Sequence, residues 1–176
     1  GIYRNVRLVC TSDIHIAYGG VFVTTPAVSR DEATVRVEAE VSAPEGADYE
    51  IRNIVLGPNG RRIGEDDGDG TVSIRKPELW STEHPHLYTL VTEIVSGGVT
   101  VDSMETRFGI RHIAWDRDKG FLLNGMPVKL LGVCMHHDMG CLGTAVHRRA
   151  LERQLEILKG MGVNAIRTSH NPPAPE

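Results

Sequence analysis

Glu32-Ala-Thr-Val-Arg-Val-Glu-Ala-Glu-Val-Ser42 decides the class of this fold. Ala33, Val35, Val37, Ala39 and Val41 fall on one side of an extended chain, and Glu32, Arg36, Glu38 and Glu40 fall on the other. Successive side chains of a strand point to opposite faces. A period of two, apolar on one side and charged on the other, therefore marks a half-buried strand of an antiparallel sheet.

Outward from this stretch the chain keeps the same habit. Ala43-Pro-Glu-Gly-Ala-Asp48 is a turn cluster, and residues 49–56 form the next strand. Gly57-Pro-Asn-Gly60 is a turn in which proline presets φ and Asn-Gly tolerates positive φ. Residues 61–63 and 71–74 are short strands on either side of the acidic loop Glu65-Asp-Asp-Gly-Asp-Gly70. Residues 20–28 supply a first strand, and residues 87–95 and 99–108 flank Ser96-Gly-Gly98. About seven strands between residues 20 and 108 predict an immunoglobulin-like antiparallel β-sandwich. The Cys…Trp…Cys pattern of antibody domains is missing, so that likeness is architectural.

The pattern changes after Phe108. Two short apolar stretches in residues 115–123 flank Asp116-Arg-Asp-Lys-Gly120, and Asn124-Gly125 is a hairpin turn. Val128-Lys-Leu-Leu-Gly-Val-Cys-Met135 is nearly continuously apolar, as a strand buried on both faces reads, and Cys134 is expected to be a buried thiol. Residues 145–161 predict a helix with an apolar stripe of Val146, Ala150, Leu151, Leu155, Leu158 and Met161. Thr144 is the expected N-cap, and Gly160 and Gly162 bracket the stop. Residues 163–167 are a second buried strand. Strand, helix and strand form a βαβ unit, which needs further strands beside it; the expectation is the opening of a (β/α)8 barrel, β-hairpin then β-α-β, with the rest beyond this stretch. The class is thus mostly β. Residues 1–16 read as the end of a preceding domain or a linker strand, 17–108 as the sandwich and 109–176 as the start of a truncated barrel.

Composition removes several functions. Aromatic residues are only 5% and net charge is −4 with no basic run, so no nucleic-acid partner is expected. No stretch of about 18 apolar residues exists, so no membrane partner is expected either. The three cysteines are an odd number and cannot all pair within the chain.

Two polar clusters stand just past the carboxyl ends of the two buried strands: Met135-His136-His137-Asp138 and Arg167-Thr168-Ser169-His170-Asn171. In a β/α barrel the loops at that end build the active site, so clusters on adjacent strands converge. Imidazole and guanidinium donors suit a ligand rich in hydroxyl groups. The plainer readings are a solvated loop for His136 and its neighbours, and a structural ion-pair partner for Arg167. A metal site with Cys134, Cys141 and His147 fits no standard zinc spacing, so no metal is expected here. His15, His84, His86 and His112 read as structural or surface residues. The acidic loop lacks the glutamate offset of an EF-hand and reads as a solvated hairpin.

Five segments resemble the middle of a glycoside hydrolase family 2 enzyme, the group of β-galactosidases, β-glucuronidases and β-mannosidases. Gly1-Ile-Tyr-Arg-Asn-Val-Arg-Leu8 resembles the closing strand of that family's amino-terminal domain. Leu79-Trp80 with His84-Pro-His-Leu-Tyr88 resembles a segment of its sandwich. Arg107-Phe-Gly-Ile-Arg111 with Phe121-Leu-Leu-Asn-Gly125 resembles the junction into the barrel. Gly132-Val-Cys-Met-His-His-Asp138 and Asn164-Ala-Ile-Arg-Thr-Ser-His-Asn-Pro172 resemble the loops after barrel strands one and two, the last most specifically.

The resemblance implies roles. His136 and His170 match histidines that contact sugar hydroxyls. Arg167 matches an arginine close to the catalytic carboxylates. His137, Asp138 and Asn171 are further candidates for substrate binding, while Met135 stands where arginine is common. It also implies a retaining exo-β-glycosidase, most of all a β-galactosidase, whose two catalytic glutamates lie on later barrel strands. No catalytic residue is expected within the 176 residues, which alone should be inactive. No cofactor is expected in this stretch; a divalent metal such as Mg would belong elsewhere in the parent. The partner is a carbohydrate substrate, and the partial barrel should pack on the sandwich or pair with another copy. The alternatives are a sandwich serving only for binding or scaffolding, and a β-glucuronidase or β-mannosidase parent. Location is not fixed by the sequence, with periplasm or secretion ahead of cytoplasm.

Overall fold

The computed structural model describes residues 2–66 and 69–175. Asp67 and Gly68 of the acidic loop fall outside them, as do Gly1 and Glu176, so the loop's expected solvated hairpin lies outside the described residues in part. The chain divides into two compact units, Cys10–Val128 on one side and Gly1–Val9 with Lys129–Glu176 on the other.

The first unit is the sandwich. Its strands are β1 (His15–Val28), β2 (Glu32–Ser42), β3 (Glu50–Leu56), β4 (Arg62–Glu65), β5 (Thr71–Arg75), β6 (Tyr88–Ser96) and β7 (Val99–Phe108). One sheet runs β1-β2-β5 and the other β4-β3-β6-β7, with antiparallel neighbours throughout. The fourth strand thus pairs with the third instead of joining the sheet of the fifth. Gly64 on β4 permits a close approach there, because a Cβ at that position would lie 2.5 Å from Val72 Cγ1 and 3.1 Å from Ile74 Cδ1 on β5.

The alternation of β2 is realised: Ala33, Val35 and Val37 are buried while Glu32, Arg36 and Glu38 are exposed. They pack with Val72 and Ile74 of β5, Val55 of β3, Tyr88 and Leu90 of β6, and Ile110. A buried polar pair crosses the second sheet, where Thr92 Oγ1 donates to Asn53 Oδ1 at 2.8 Å and the Asn53 amide nitrogen donates to Asp66. Between the sheets, the Ile16 amide donates to an Asp102 carboxylate oxygen at 2.8 Å.

A hairpin follows in the same unit: β8 (Ile113–Asp116), β9 (Gly120–Leu123) and β10 (Met126–Pro127). Asn124 and Gly125 take φ of 52° and 79°, the positive values that Asn-Gly supplies at low cost. The Asn124 side chain ties the hairpin back, accepting from the His112 amide at 2.9 Å and donating to the Trp80 carbonyl at 3.0 Å.

The second unit is a βαβ element: β11 (Gly132–His136), α1 (Arg148–Gly160) and β12 (Ala165–Ser169). β11 and β12 are parallel. Asn164 clamps the entry to both strands, its Oδ1 accepting from the Leu131 amide at 2.8 Å and its Nδ2 donating to the Lys129 carbonyl at 3.0 Å. On the outer face of α1, Arg148 pairs with Glu152 at 3.0 Å and Arg149 makes two bonds to Glu156 at 2.9 and 3.0 Å.

Four expectations fail here, the first being the second buried strand expected at 163–167, which runs Ala165–Ser169 with only Ser169 buried. The apolar run 128–135 is strand only from Gly132, and Leu130 and Leu131 remain about half exposed where, among the described residues, no further strand is laid beside them. For the same reason Cys134 is exposed and not buried. Thr144 does not cap the helix, which begins at Arg148 with His147 at the cap. A 3-10 turn at Gly140–Leu142 and bonds from the Met139 amide to the Gly143 carbonyl and from the Ala145 amide to the Leu142 carbonyl hold Thr144 within a loop. Among the described residues no helix is long and apolar enough to cross a membrane.

Candidate functional site

The parallel register of β11 and β12 places Cys134 opposite Arg167 and His136 opposite Ser169. Alternation along each strand then separates two faces. Met135 and Thr168 face α1 and help line a mostly apolar cavity of about 290 Å³ with Leu151 and Leu155. Cys134, Arg167 and Ser169 meet on the other face.

The guanidinium of Arg167 is anchored there. Its Nη1 donates to Ser169 Oγ at 2.9 Å and lies 3.8 Å from Cys134 Sγ. Ser169 is the one fully buried side chain of this unit among the described residues, at 2% exposure, whereas Arg167 itself is exposed. The Arg167 hydrogen bond first, and that of Ser169 second, hold the Cys134 thiol below its usual range.

Beyond the strand ends, His136 and His170 come together, with ring centroids 5.5 Å apart and planes at 82°. Both are exposed. Asp138 is exposed in the loop after β11. His137 and Asn171 line the helix-side cavity, and His137 Nδ1 is buried with no hydrogen-bond partner among the described residues. The structure therefore gathers His136 and His170 at one end of the sheet and places Arg167 on the sheet face. His137 and Asn171 line the helix-side cavity, which His136 also reaches.

Sequence reasoning missed Ser169 and Cys134 as partners of Arg167. The signal was available in principle: residues 134 and 167 share a face once the two strands are set parallel and in register. Among the described residues no three His, Cys, Asp or Glu side chains come together as metal ligands.

The chain is similar to known proteins along its length. The profile of glycosyl hydrolases family 2 matches residues 14–111, and that of the family's TIM barrel domain matches residues 116–176. The chain belongs to glycosyl hydrolases family 2. Its sandwich and the start of its barrel are thus family 2 elements, as the sequence reading expected. The β-galactosidase BoGH2A of Bacteroides ovatus is 40% identical over 190 residues, which take in 100% of this chain and 22% of that protein. A putative β-glucuronidase of Formosa agariphila is 35% identical, over 99% of this chain and 18% of its own length. Among solved structures, a family 2 member from Bacteroides cellulosilyticus superposes with a TM-score of 0.87 at 34% identity, covering 94% of this chain and 23% of that one. A Bacteroides uniformis β-glucuronidase follows at 0.82 and 30%, covering 94% and 22%. This family 2 chain spans about a fifth of the length of the curated relatives it matches.

Proposed function

We propose that the protein to which this chain belongs is a retaining exo-β-glycosidase of β-galactosidase type, and that His136, His170 and Arg167 contact its sugar substrate. The observation that carries this reading is the meeting of two exposed imidazoles at the carboxyl ends of two parallel strands, on a sheet that also carries an anchored guanidinium, in a stretch that matches the family's barrel. Such donors present several oriented N–H groups to sugar hydroxyls, and active sites of β/α barrels form at this end. The 40% identity to a β-galactosidase puts that sugar ahead of glucuronic acid; a β-glucuronidase parent is the second reading, supported by relatives of that name. Asp138, His137 and Asn171 are secondary candidates for substrate contact.

The 176 residues alone would hydrolyse nothing. Retaining hydrolysis needs one carboxyl as nucleophile and one as acid, about 5–5.5 Å apart. In the barrel part, Glu152 and Glu156 are engaged by Arg148 and Arg149 on α1. In this proposal the two glutamates, and any divalent metal, come from parts of the parent outside this stretch.

The test is the full-length parent assayed on a panel of aryl β-glycosides. Fastest turnover of the β-galactoside supports the proposal; fastest turnover of the β-glucuronide moves the assignment to the second reading. Absence of turnover on every member of the panel overturns both.

A further inference from the structure

We propose that Ser169 and Cys134 are positioning residues that hold the Arg167 guanidinium in place on the sheet face, so that the cation is set before any sugar arrives. The inference rests on the reading of Arg167 as a substrate-side residue, and its geometry stands apart from that reading. Arg167 sits mid-strand on β12 and is exposed. An unheld arginine side chain would lose several freely rotating bonds' worth of entropy on meeting a ligand. Here the buried Ser169 hydroxyl takes one N–H at 2.9 Å, and the Cys134 sulfur, directly across the parallel register, lies 3.8 Å from the same nitrogen.

Ser169 and Cys134 both engage Nη1, which leaves the other guanidinium N–H groups available. That is the arrangement suited to orienting an anionic or hydroxyl-bearing group.

The sulfur also reports on the contact. A guanidinium at this distance favours the thiolate, and the structure draws the Cys134 thiol down for that reason. The other titratable groups near the sulfur are His136 and Asp138, which share a shallow hollow with it; α1 contributes only Gln154, Ile157 and Leu158 there. Cys10 and Cys141 are exposed as well and have no arginine bonded to them, so they serve as controls inside the same molecule.

The experiment follows iodoacetamide alkylation of the three cysteines of the 176-residue chain by mass spectrometry from pH 6 to 9. Each unit by which a thiol pKa is lowered speeds alkylation about threefold below that pKa, since a gain of about tenfold in thiolate is partly offset by weaker nucleophilicity. Cys134 should react faster than Cys10 and Cys141 near pH 7, with its profile displaced to lower pH. Arg167→Gln should erase the difference, Arg167→Lys should restore part of it, and Ser169→Ala should shrink it by freeing the guanidinium. Circular dichroism on each variant separates loss of the contact from loss of the fold. Identical profiles for all three cysteines, or a Cys134 profile unmoved by Arg167→Gln in a folded chain, overturn the proposal. In the parent, Cys134→Val should raise KM for an aryl β-glycoside more than it lowers kcat, because positioning is lost before chemistry. A parent without glycosidase activity but with the displaced Cys134 profile would remove the functional reading and leave the positioning intact.

Discussion

The imidazole of His170 meets that of His136 edge to face, with centroids 5.5 Å apart and planes at 82°. Two side chains from different strands thus act as one unit, each limiting the other's rotation. In the full-length parent, His136→Ala and His170→Ala should each lower kcat/KM on an aryl β-galactoside about ten- to a hundredfold, the loss of a polar contact worth about 1.4–2.8 kcal/mol. Because the rings touch, the double variant should lose less than the product of the two single losses. Steady-state kinetics on the four proteins check this. Single losses under about twofold would make the pair bystanders.

Thr92 and Asn53 form the buried polar joint of the sandwich. Replacing Thr92 by Val keeps the shape and leaves the Asn53 carbonyl oxygen without its donor, an uncompensated group that costs about 1–3 kcal/mol. Thr92→Ser retains the hydroxyl and should cost less. Urea denaturation should show a lower midpoint for Thr92→Val at an unchanged slope. A Val variant as stable as the wild type would mean that water replaces the lost donor.

The sandwich was legible in the sequence because each of its strands faces water on one side. The alternation of Ala33, Val35 and Val37 with charged neighbours states the strand, its buried face and its depth at once. The topology was less legible: nothing in Arg62–Glu65 announces that it pairs with β3, and only Gly64, where a side chain would strike Val72, marks the close approach. The barrel part was legible as a βαβ unit but not in its burial. An apolar run such as residues 128–135 states that something should cover it, without saying whether that something is present. Cys134 was misread for this reason. The candidate site was legible through His136, Arg167 and His170, whose positions past apolar strands carry the signal. Ser169 was not, since a small hydroxyl in a strand signals nothing until the parallel register places it beside a guanidinium.

Tyr88 gives the sandwich an alkaline limit. Burial raises its phenol above the ordinary 10.0, with the Glu78 backbone hydrogen bond acting the other way. A group whose folded pKa is raised contributes stability that is whole below the unfolded value and is lost as pH rises through the folded one. Stability should therefore fall above about pH 10. Tyr88→Phe should cost about 1 kcal/mol near neutrality, where the hydroxyl accepts from the Glu78 amide at 2.7 Å, and should have a flatter decline in strong base. Thermal melts of both proteins across pH 8 to 11 test the sign: the two curves should converge. Curves that stay parallel would show that folding does not shift the ionisation of the phenol.

The βαβ unit predicts association of the 176-residue chain in isolation. Among the described residues, β11 and β12 pair only with each other, and a parallel sheet is stable when both faces and both edges are covered. Leu130, Leu131, Leu155, Ile157, Met161 and Ile166 are all exposed, an apolar surface larger than scattered single residues would give. Light scattering should therefore give a mass that rises with concentration, together with binding of an apolar dye. Leu131→Lys, just before β11, should reduce both readouts, since it sets a charge in this exposed apolar surface. Phe22→Lys, an exposed position of the sandwich, should leave them unchanged. A monomer at every concentration with no dye bound would mean that these side chains are covered within a single chain, and the association would have to be given up.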